Sequence, residues 1–306
     1  MMKMADLFAG IGGQSTGAVM AGHEVVYAAN HWPLAVEYHA LNHPETIHSC
    51  QDLQQADFSQ LPGYDVLLAS PCCQGHSKAR GKETKAHDTS RSTAWAVVAA
   101  VEAGTPAFFV VENTPEFMEW ILYPAWADAL NRLGYTLAPH IIDAADHGVA
   151  QNRVRMFLVG SRSRAPLKLN IPKQPQVTAP QIIDLSDGKW SLIDKPGRSQ
   201  ATLNRIARGR AQLKTDTFLI PYYGSGSGLT GRSLDRPIGT ITTRDRWAII
   251  RGDSMRMLTV AENRDFMSFP KTTVLPKTKR LATHLLGNAV CPELERQLLM
   301  ELARVA

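Results

Sequence analysis

Short apolar runs alternate with amphipathic stretches through the first half of the chain. Residues 3–8, 24–29, 46–48 and 65–69 each hold a brief apolar or β-branched core bounded by polar residues or glycine, which predicts four strands. Between them, residues 14–21 predict a helix stopped by Gly22, and residues 33–41 predict a second one opening on Pro33. An alanine- and valine-rich helix is predicted over 93–103, a fifth strand over 106–111 running into Glu112 and Asn113, and a helix over 120–133 ending before Gly134. Two further strands, 136–143 and 154–160, suit an antiparallel pair. Strands alternating with helices predict an α/β fold built on a doubly wound, mostly parallel sheet.

The pattern changes near Ser161. From there to about Arg236 the chain is rich in Pro, Gly, Lys and Arg and shows little periodicity, so a smaller, irregular domain is expected. It carries Lys189, Lys195, Arg198, Arg205, Arg208, Arg210 and Lys214, followed by two tyrosines and a glycine-serine tract, Tyr222 to Gly228. A solvated insertion and a surface for phosphates and bases both fit that composition. Core-like patterns return after Arg236, and the last helix is expected to pack on the first domain. The division predicted is 1–161 plus about 257–306 for one domain and about 162–256 for the other.

Composition narrows the class. With 44% hydrophobic residues the chain can bury a core, and a formal charge of +5 makes it only mildly basic. The four cysteines, Cys50, Cys72, Cys73 and Cys291, contain no CxxC pair and offer neither a zinc site nor a disulfide framework, which fits a reducing cytoplasm. No signal-peptide core and no membrane-length apolar run are visible, so no membrane association is expected.

Chemistry concentrates at strand ends. Val66-Leu67-Leu68-Ala69 leads into Ser70-Pro71-Cys72-Cys73-Gln74-Gly75-His76-Ser77, which places thiols at the carboxyl end of a sheet, where open α/β folds bind ligands. The polar stretch from Gly75 to Arg91 suits a lid over a nucleophile. Asp6-Leu7-Phe8-Ala9-Gly10-Ile11-Gly12-Gly13 reads as strand, glycine turn and helix start, a moderate nucleotide-type signal that a plain tight turn also explains. Asn30-His31-Trp32 and Asp52 follow the next two strands. Trp32 could stack on an adenine and Asp52 accept from its amine, although each alone is more often a surface or capping residue. Glu112-Asn113-Thr114 puts a carboxyl at the same edge as Cys73, as a proton donor or a cap. In Gln151-Asn152-Arg153-Val154-Arg155, alternation puts Gln151, Arg153 and Arg155 on one face, for an anion or for an edge-strand salt bridge. Gly287-Asn288-Ala289-Val290 precedes the last helix, as a ligand cover or as an ordinary loop.

Taken in order, these pieces resemble the DNA (cytosine-5)-methyltransferase family, of prokaryotic or phage type, over nearly the whole chain except about 162–235. DLFAGIGG is similar to its first cofactor motif, PCCQGHS to the catalytic Pro-Cys-Gln motif, ENT to Glu-Asn-Val and QNRVR to Gln-x-Arg-x-Arg. RPIGTITT, from Arg236 to Thr243, is similar to the support of the target-recognition domain, and GNAV to the last motif.

The resemblance implies S-adenosylmethionine as cofactor and the matching methyltransferase fold with a target-recognition domain. It implies Cys73 as nucleophile at carbon 6 of a flipped cytosine, with Glu112, Arg153 and Arg155 completing the catalytic set. It implies Phe8, Gly10, Ile11, Gly12, Gly13, Asn30, His31, Trp32, Asp52, Leu53, Pro71, Asn288, Ala289 and Val290 around the cofactor. Gln74, Ser77, Arg91, Asn113, Gln151 and Thr240 would contact DNA. Double-stranded DNA is the implied partner, with a monomeric chain in the cytoplasm at the nucleoid. A cognate restriction endonuclease would be a further partner if the chain belongs to a restriction pair.

The chain departs from the family pattern at three places. Cys72 stands where the family has proline, His31 stands where an acidic residue commonly holds the ribose, and Ala94 and Ala289 suggest a roomier cofactor pocket. Two other readings stay open at this point. One is a tRNA methyltransferase, although that branch's Cys-Phe-Thr element is missing. The other is a silent DNA-binding relative.

Overall fold

The computed structural model describes residues 1–72, 92–222 and 231–306. Seven strands form the main sheet in the order β3-β2-β1-β4-β5-β7-β6. They are β1 (Lys3–Leu7), β2 (Glu24–Asn30), β3 (Ile47–Cys50), β4 (Val66–Ala69), β5 (Phe108–Asn113), β6 (Thr136–Asp143) and β7 (Val154–Ser161). The first five run parallel, and β7 pairs antiparallel with both β5 and β6. β4 is apolar throughout because it is covered on both faces, with all four residues at 0% exposure.

Helices α1 (Gly13–Met20), α2 (Pro33–Asn42), α3 (Trp95–Gly104) and α4 (Tyr123–Arg132) connect these strands. Strand alternation separates two cores. Met4, Val66, Leu68 and Val110 face one cluster with Ala18 and the C-terminal helix, while Ala5, Leu7, Leu67, Phe109 and Val111 face another with Val97, Val101, Trp126 and Leu130. The helix expected over 120–133 is shorter than predicted. A 3₁₀ turn occupies Pro115–Glu119, and the α-helix starts at Tyr123 because Pro124 fits only its first turn.

The stretch expected to be irregular is not. Helix α5 (Gln200–Leu213) and strands β8 (Ser191–Leu192), β9 (Thr217–Pro221), β10 (Trp247–Arg251) and β11 (Ser254–Met257) form a second, antiparallel sheet in the order β8-β11-β10-β9. Its alternation is regular once seen. Phe218, Ile220, Ala248 and Ile250 face Ile206 of α5, while Leu219, Trp247 and Ile249 join the main core. The chain closes with α6 (Val260–Phe266), α7 (Lys279–Asn288) and α8 (Pro292–Val305). α8 lies along α1, where a methyl group on Gly17 would strike the side chain of Glu295. No helix among the described residues is long and apolar enough to cross a membrane.

Candidate active site

The parallel register aligns three loops at one edge of the main sheet. Leu7 pairs with Ala69 and Ala69 with Val111, so Phe8, Ser70 and Glu112 emerge side by side. Ser70 N–H donates to the Leu7 carbonyl at 3.2 Å and its hydroxyl to the Phe8 carbonyl at 3.3 Å. Cys73, Gln74, Ser77 and Arg91 lie outside the described residues. The thiol loop is seen as far as Cys72, half-buried, whose N–H donates to the Thr93 hydroxyl at 3.2 Å.

Asn113 fastens that loop to β5. Its side-chain amide donates to the Pro71 carbonyl at 3.0 Å, and its oxygen accepts the Thr114 N–H at 2.9 Å. Asn113 has no exposure, so its place is that of a brace under the cysteine loop, not the DNA contact expected of it. Glu112 beside it is 6% exposed, and Arg155 Nε stands 3.0 Å from its Oε1. Burial raises the Glu112 carboxyl above its ordinary range, and the Arg155 and Arg153 guanidiniums hold it back. A buried carboxyl at a strand end can serve as a hydrogen-bonding or proton-transfer partner to a substrate atom.

Arg153 and Arg155 both stand close enough to Glu112 to act on its charge, but their hydrogen bonds differ. Gln151 bridges to Ile238. Arg153 is 3% exposed and donates to the carbonyls of Ile241 (3.0 Å), Gly287 (3.1 Å) and Ala289 (2.9 Å). Gln151 is fully buried. Its amide donates to the Phe266 carbonyl at 3.1 Å, and its oxygen accepts the Ile241 N–H at 2.6 Å. The Thr240 hydroxyl donates to the Asn152 carbonyl at 2.9 Å. Gln151, expected to contact DNA, and Arg153, expected in the catalytic set, are both engaged in a structural junction here. QNRVR, RPIGTITT and GNAV are tied together there.

The glycine turn is conformationally special. Phe8, Gly10 and Gly12 have φ of +61°, +57° and +92°, and a positive φ at a phenylalanine is a strained backbone of the sort kept at binding sites. A methyl group on Gly13 would overlap the Val290 carbonyl, so GNAV closes directly on the turn. Gly10 differs: among the described residues, a methyl there would meet only the Phe8 carbonyl, 4.0 Å away. No side chain of the N-cap residue Gly12 caps α1, and the first-turn Ser15 N–H is taken by Asp6 Oδ2 at 3.1 Å.

Around the turn, Ile11, Leu53, Pro71, Ala289 and Val290 are buried, while His31, Asp52 and Asn288 are exposed. The Asn30 oxygen accepts the Trp32 N–H at 2.9 Å, and the Trp32 ring meets His284 edge-on at 5.3 Å. Asp52 accepts from Gln54 N–H at 3.0 Å, a turn cap with a second oxygen near Gln55. Among the described residues, the open side of Gly10 and the exposed Asp52 carboxylate fit a ligand with hydroxyl and amine groups such as S-adenosylmethionine.

The sequence reading missed three histidines under this turn. His39 on α2 and His43, the residue that caps its C-terminus, lie against Gly12, and His48 joins them from β3. The i, i+4 spacing of two histidines was the available signal.

A family model for C-5 cytosine-specific DNA methylases matches residues 2–304. The chain belongs to this family. It is similar to the type II methyltransferase M.HgiDI of Herpetosiphon aurantiacus, 31% identical over 94% of this chain and 90% of that protein. Its identity to M.NlaX of Neisseria lactamica is 28%, over 95% and 93% of the two chains. With M.MthTI of Methanothermobacter thermautotrophicus the match is 31% over 62% of this chain and 59% of that protein. Among solved structures, S. pombe Dnmt2 methyltransferase superposes with a TM-score of 0.72 at 16% identity, covering 99% and 98% of the chains. Entamoeba histolytica EhMeth gives 0.68 at 15% identity, over 100% and 99%. These two likenesses establish the doubly wound methyltransferase fold. As a C-5 cytosine DNA methyltransferase, the chain uses S-adenosylmethionine as methyl donor.

Proposed function

We propose that the chain methylates a cytosine turned out of duplex DNA, with Cys73 as nucleophile, Glu112 as its proton-holding partner and Arg155 as the group that orients Glu112. The observation that carries this reading is the buried Glu112–Arg155 pair, one strand away from the Pro71–Cys72 loop and tied to it by Asn113.

Carbon 5 of cytosine is a poor nucleophile on its own. Addition of the Cys73 thiolate forms a bond to carbon 6 and moves electron density to carbon 5, while Glu112 donates to ring nitrogen 3. S-adenosylmethionine, when bound, supplies an electrophilic methyl group. Loss of the carbon 5 proton to water then breaks the sulfur–carbon bond and restores the aromatic ring, and the proton on ring nitrogen 3 returns to Glu112. The target atom is shielded in a stacked duplex, which requires the base to leave it. The residues suited to hold the cofactor are the Phe8–Gly13 turn, Asn30 to Trp32, Asp52, Leu53 and the 288–290 loop.

The second sheet with α5 is the part we assign to target recognition, within about 162–256. Its basic residues divide by role. Arg198 is bound to the Ile193 and Leu192 carbonyls, and Arg210 to that of Gly252, whereas Lys189, Lys195, Arg208 and Lys214 are exposed and suited to phosphates. The type II names of the relatives support a modification role beside a cognate endonuclease, for a monomeric enzyme acting at the nucleoid.

Trapping on 5-fluorocytosine duplex DNA tests the nucleophile. Cys73→Ser should abolish both the covalent complex and tritium release from carbon 5, and Cys72→Ser should retain both. Loss of trapping with Cys72→Ser alone would move the nucleophile to that residue. Bisulfite sequencing of expressing cells then reads the target site.

A further inference from the structure

The glycine turn rests on a continuous hydrogen-bonded chain. Asp6 and Ser15 lie beneath it, on β1 and the first turn of α1. The Ser15 hydroxyl is 2.6 Å from Asp6 Oδ2, which also accepts the Ser15 N–H at 3.1 Å. His39 Nε2 is 3.0 Å from the same hydroxyl, and His39 Nδ1 is 2.8 Å from His48 Nε2. Asp6, Ser15 and His39 are at most 1% exposed, while His48 reaches the surface.

The donors can be assigned in one direction. Asp6 is an acceptor at the buried end, so Ser15 O–H points to it, and the Ser15 oxygen must accept from His39 Nε2–H. A neutral His39 then has an acceptor at Nδ1, which takes the proton of His48 Nε2–H. Burial and the neighbouring His43 and His48 rings hold His39 well below the usual imidazole range, which keeps it in this neutral form. The other ionisable groups facing the chain are His43 at the C-terminus of α2, whose Nε2 lies 3.1 Å from the Thr16 hydroxyl, and Glu295 on α8 beside Asp6.

The His39 ring also forms a floor. A methyl group on Gly12 would stand 3.0 Å from His39 Cδ2 and 2.9 Å from His43 Nε2, so the left-handed Gly12 sits directly on both rings. His39 thus touches the turn from below and fixes the hydroxyl that anchors α1 to β1.

We infer that His39 is a positioning residue for cofactor binding, acting through Ser15 and Asp6 to hold the Phe8–Gly13 turn in its binding shape. This rests on that turn being the S-adenosylmethionine site. The transmitted quantity is the order of the turn, since His39 touches it at Gly12 and reaches α1 and β1 through Ser15. Its loss therefore falls on cofactor affinity and not on the chemical step.

Calorimetric titration of the full chain with S-adenosylmethionine and with S-adenosylhomocysteine provides the test, alongside kcat and KM for the cofactor. One buried hydrogen bond of this kind corresponds to about a tenfold change in affinity. His39→Leu and Ser15→Ala should each weaken both ligands by about that factor. His39→Gln, which keeps an N–H near the Nε2 position, should restore most of the affinity. The double variant His39→Leu with Ser15→Ala should be no weaker than the worse single one, because both remove one link.

Additive losses, or His39→Gln as weak as His39→Leu, would reduce His39 to packing and overturn the inference alone. If His39→Leu does not fold, unchanged affinity in Ser15→Ala overturns it equally. Failure of the unaltered chain to bind either ligand would overturn the cofactor site itself.

Discussion

Arg155 and Glu112 are diagonal neighbours on the antiparallel β5–β7 ladder, with Nε 3.0 Å from Oε1 and both side chains largely buried. The pair sets a carboxyl whose charged form burial disfavours against a cation that favours it. Glu112→Gln keeps the shape and removes the exchangeable proton. Removal of a general acid costs about 10²–10⁴ in rate, so kcat/KM should fall into that range while cofactor affinity stays unchanged. A loss under about threefold would remove Glu112 from the chemistry.

Arg153 serves the junction. Its guanidinium satisfies carbonyls from two separate segments, at Ile241 and at Gly287 and Ala289. Arg153→Met leaves those carbonyls buried without their donor, a change of about 3–5 kcal/mol by analogy with broken buried charge pairs. Arg153→Lys should recover only part, since one ammonium cannot reproduce the planar fork. Urea unfolding measures both. A cost under about 1 kcal/mol for Arg153→Met would show that the junction stands without it.

The main sheet was legible because each strand from residue 3 to residue 160 is a short apolar run closed by a turn residue, and depth in the sheet makes those runs continuous. The site was legible as a set of strand ends. What sequence reasoning could not reach were directions and partners. Alternation predicted a common face for Arg153 and Arg155, but not that the Arg153 guanidinium is taken up by the carbonyls of Ile241, Gly287 and Ala289 while Arg155 meets Glu112. Asn113 and Gln151 are polar residues in motif positions, and only the fold shows that backbone atoms consume them.

The second sheet escaped for a different reason. Its strands are short, separated by up to 25 residues, and β8 has only two residues. α5 buries only Thr202, Ile206 and Gly209, so its polar surface dominates its composition. Neither period stands out above the charge.

His31 is exposed at the end of β2, next to the Asn30–Trp32 bond that shapes the loop. A neutral imidazole offers a ribose a single acceptor, whereas a carboxylate gives charge-assisted bonds about twice as strong. His31→Glu should therefore tighten S-adenosylmethionine by about tenfold in calorimetric titration. Unchanged affinity would mean that the ribose is held elsewhere.

Glu295 supplies the pH dependence of folding. Its carboxyl has no exposure at the α1–α8 contact, and burial, reinforced by Asp6, pushes it up to about 8 from 4.5. Asp6 is itself pushed up to about 7 by burial. The folded chain then keeps protons that the unfolded chain has released, so stability is full below the unfolded values. It declines as pH rises from about 4.5 towards about 8. Glu295→Gln has no such proton to lose. Each unit of displacement corresponds to about 1.4 kcal/mol, discounted here because the two acids share one environment. The stability of Glu295→Gln relative to the unaltered chain should thus rise by at least about 1 kcal/mol between pH 5 and pH 8.5. Urea unfolding at the two pH values gives this difference directly. A constant difference would show that Glu295 is charged in the folded chain across the whole window.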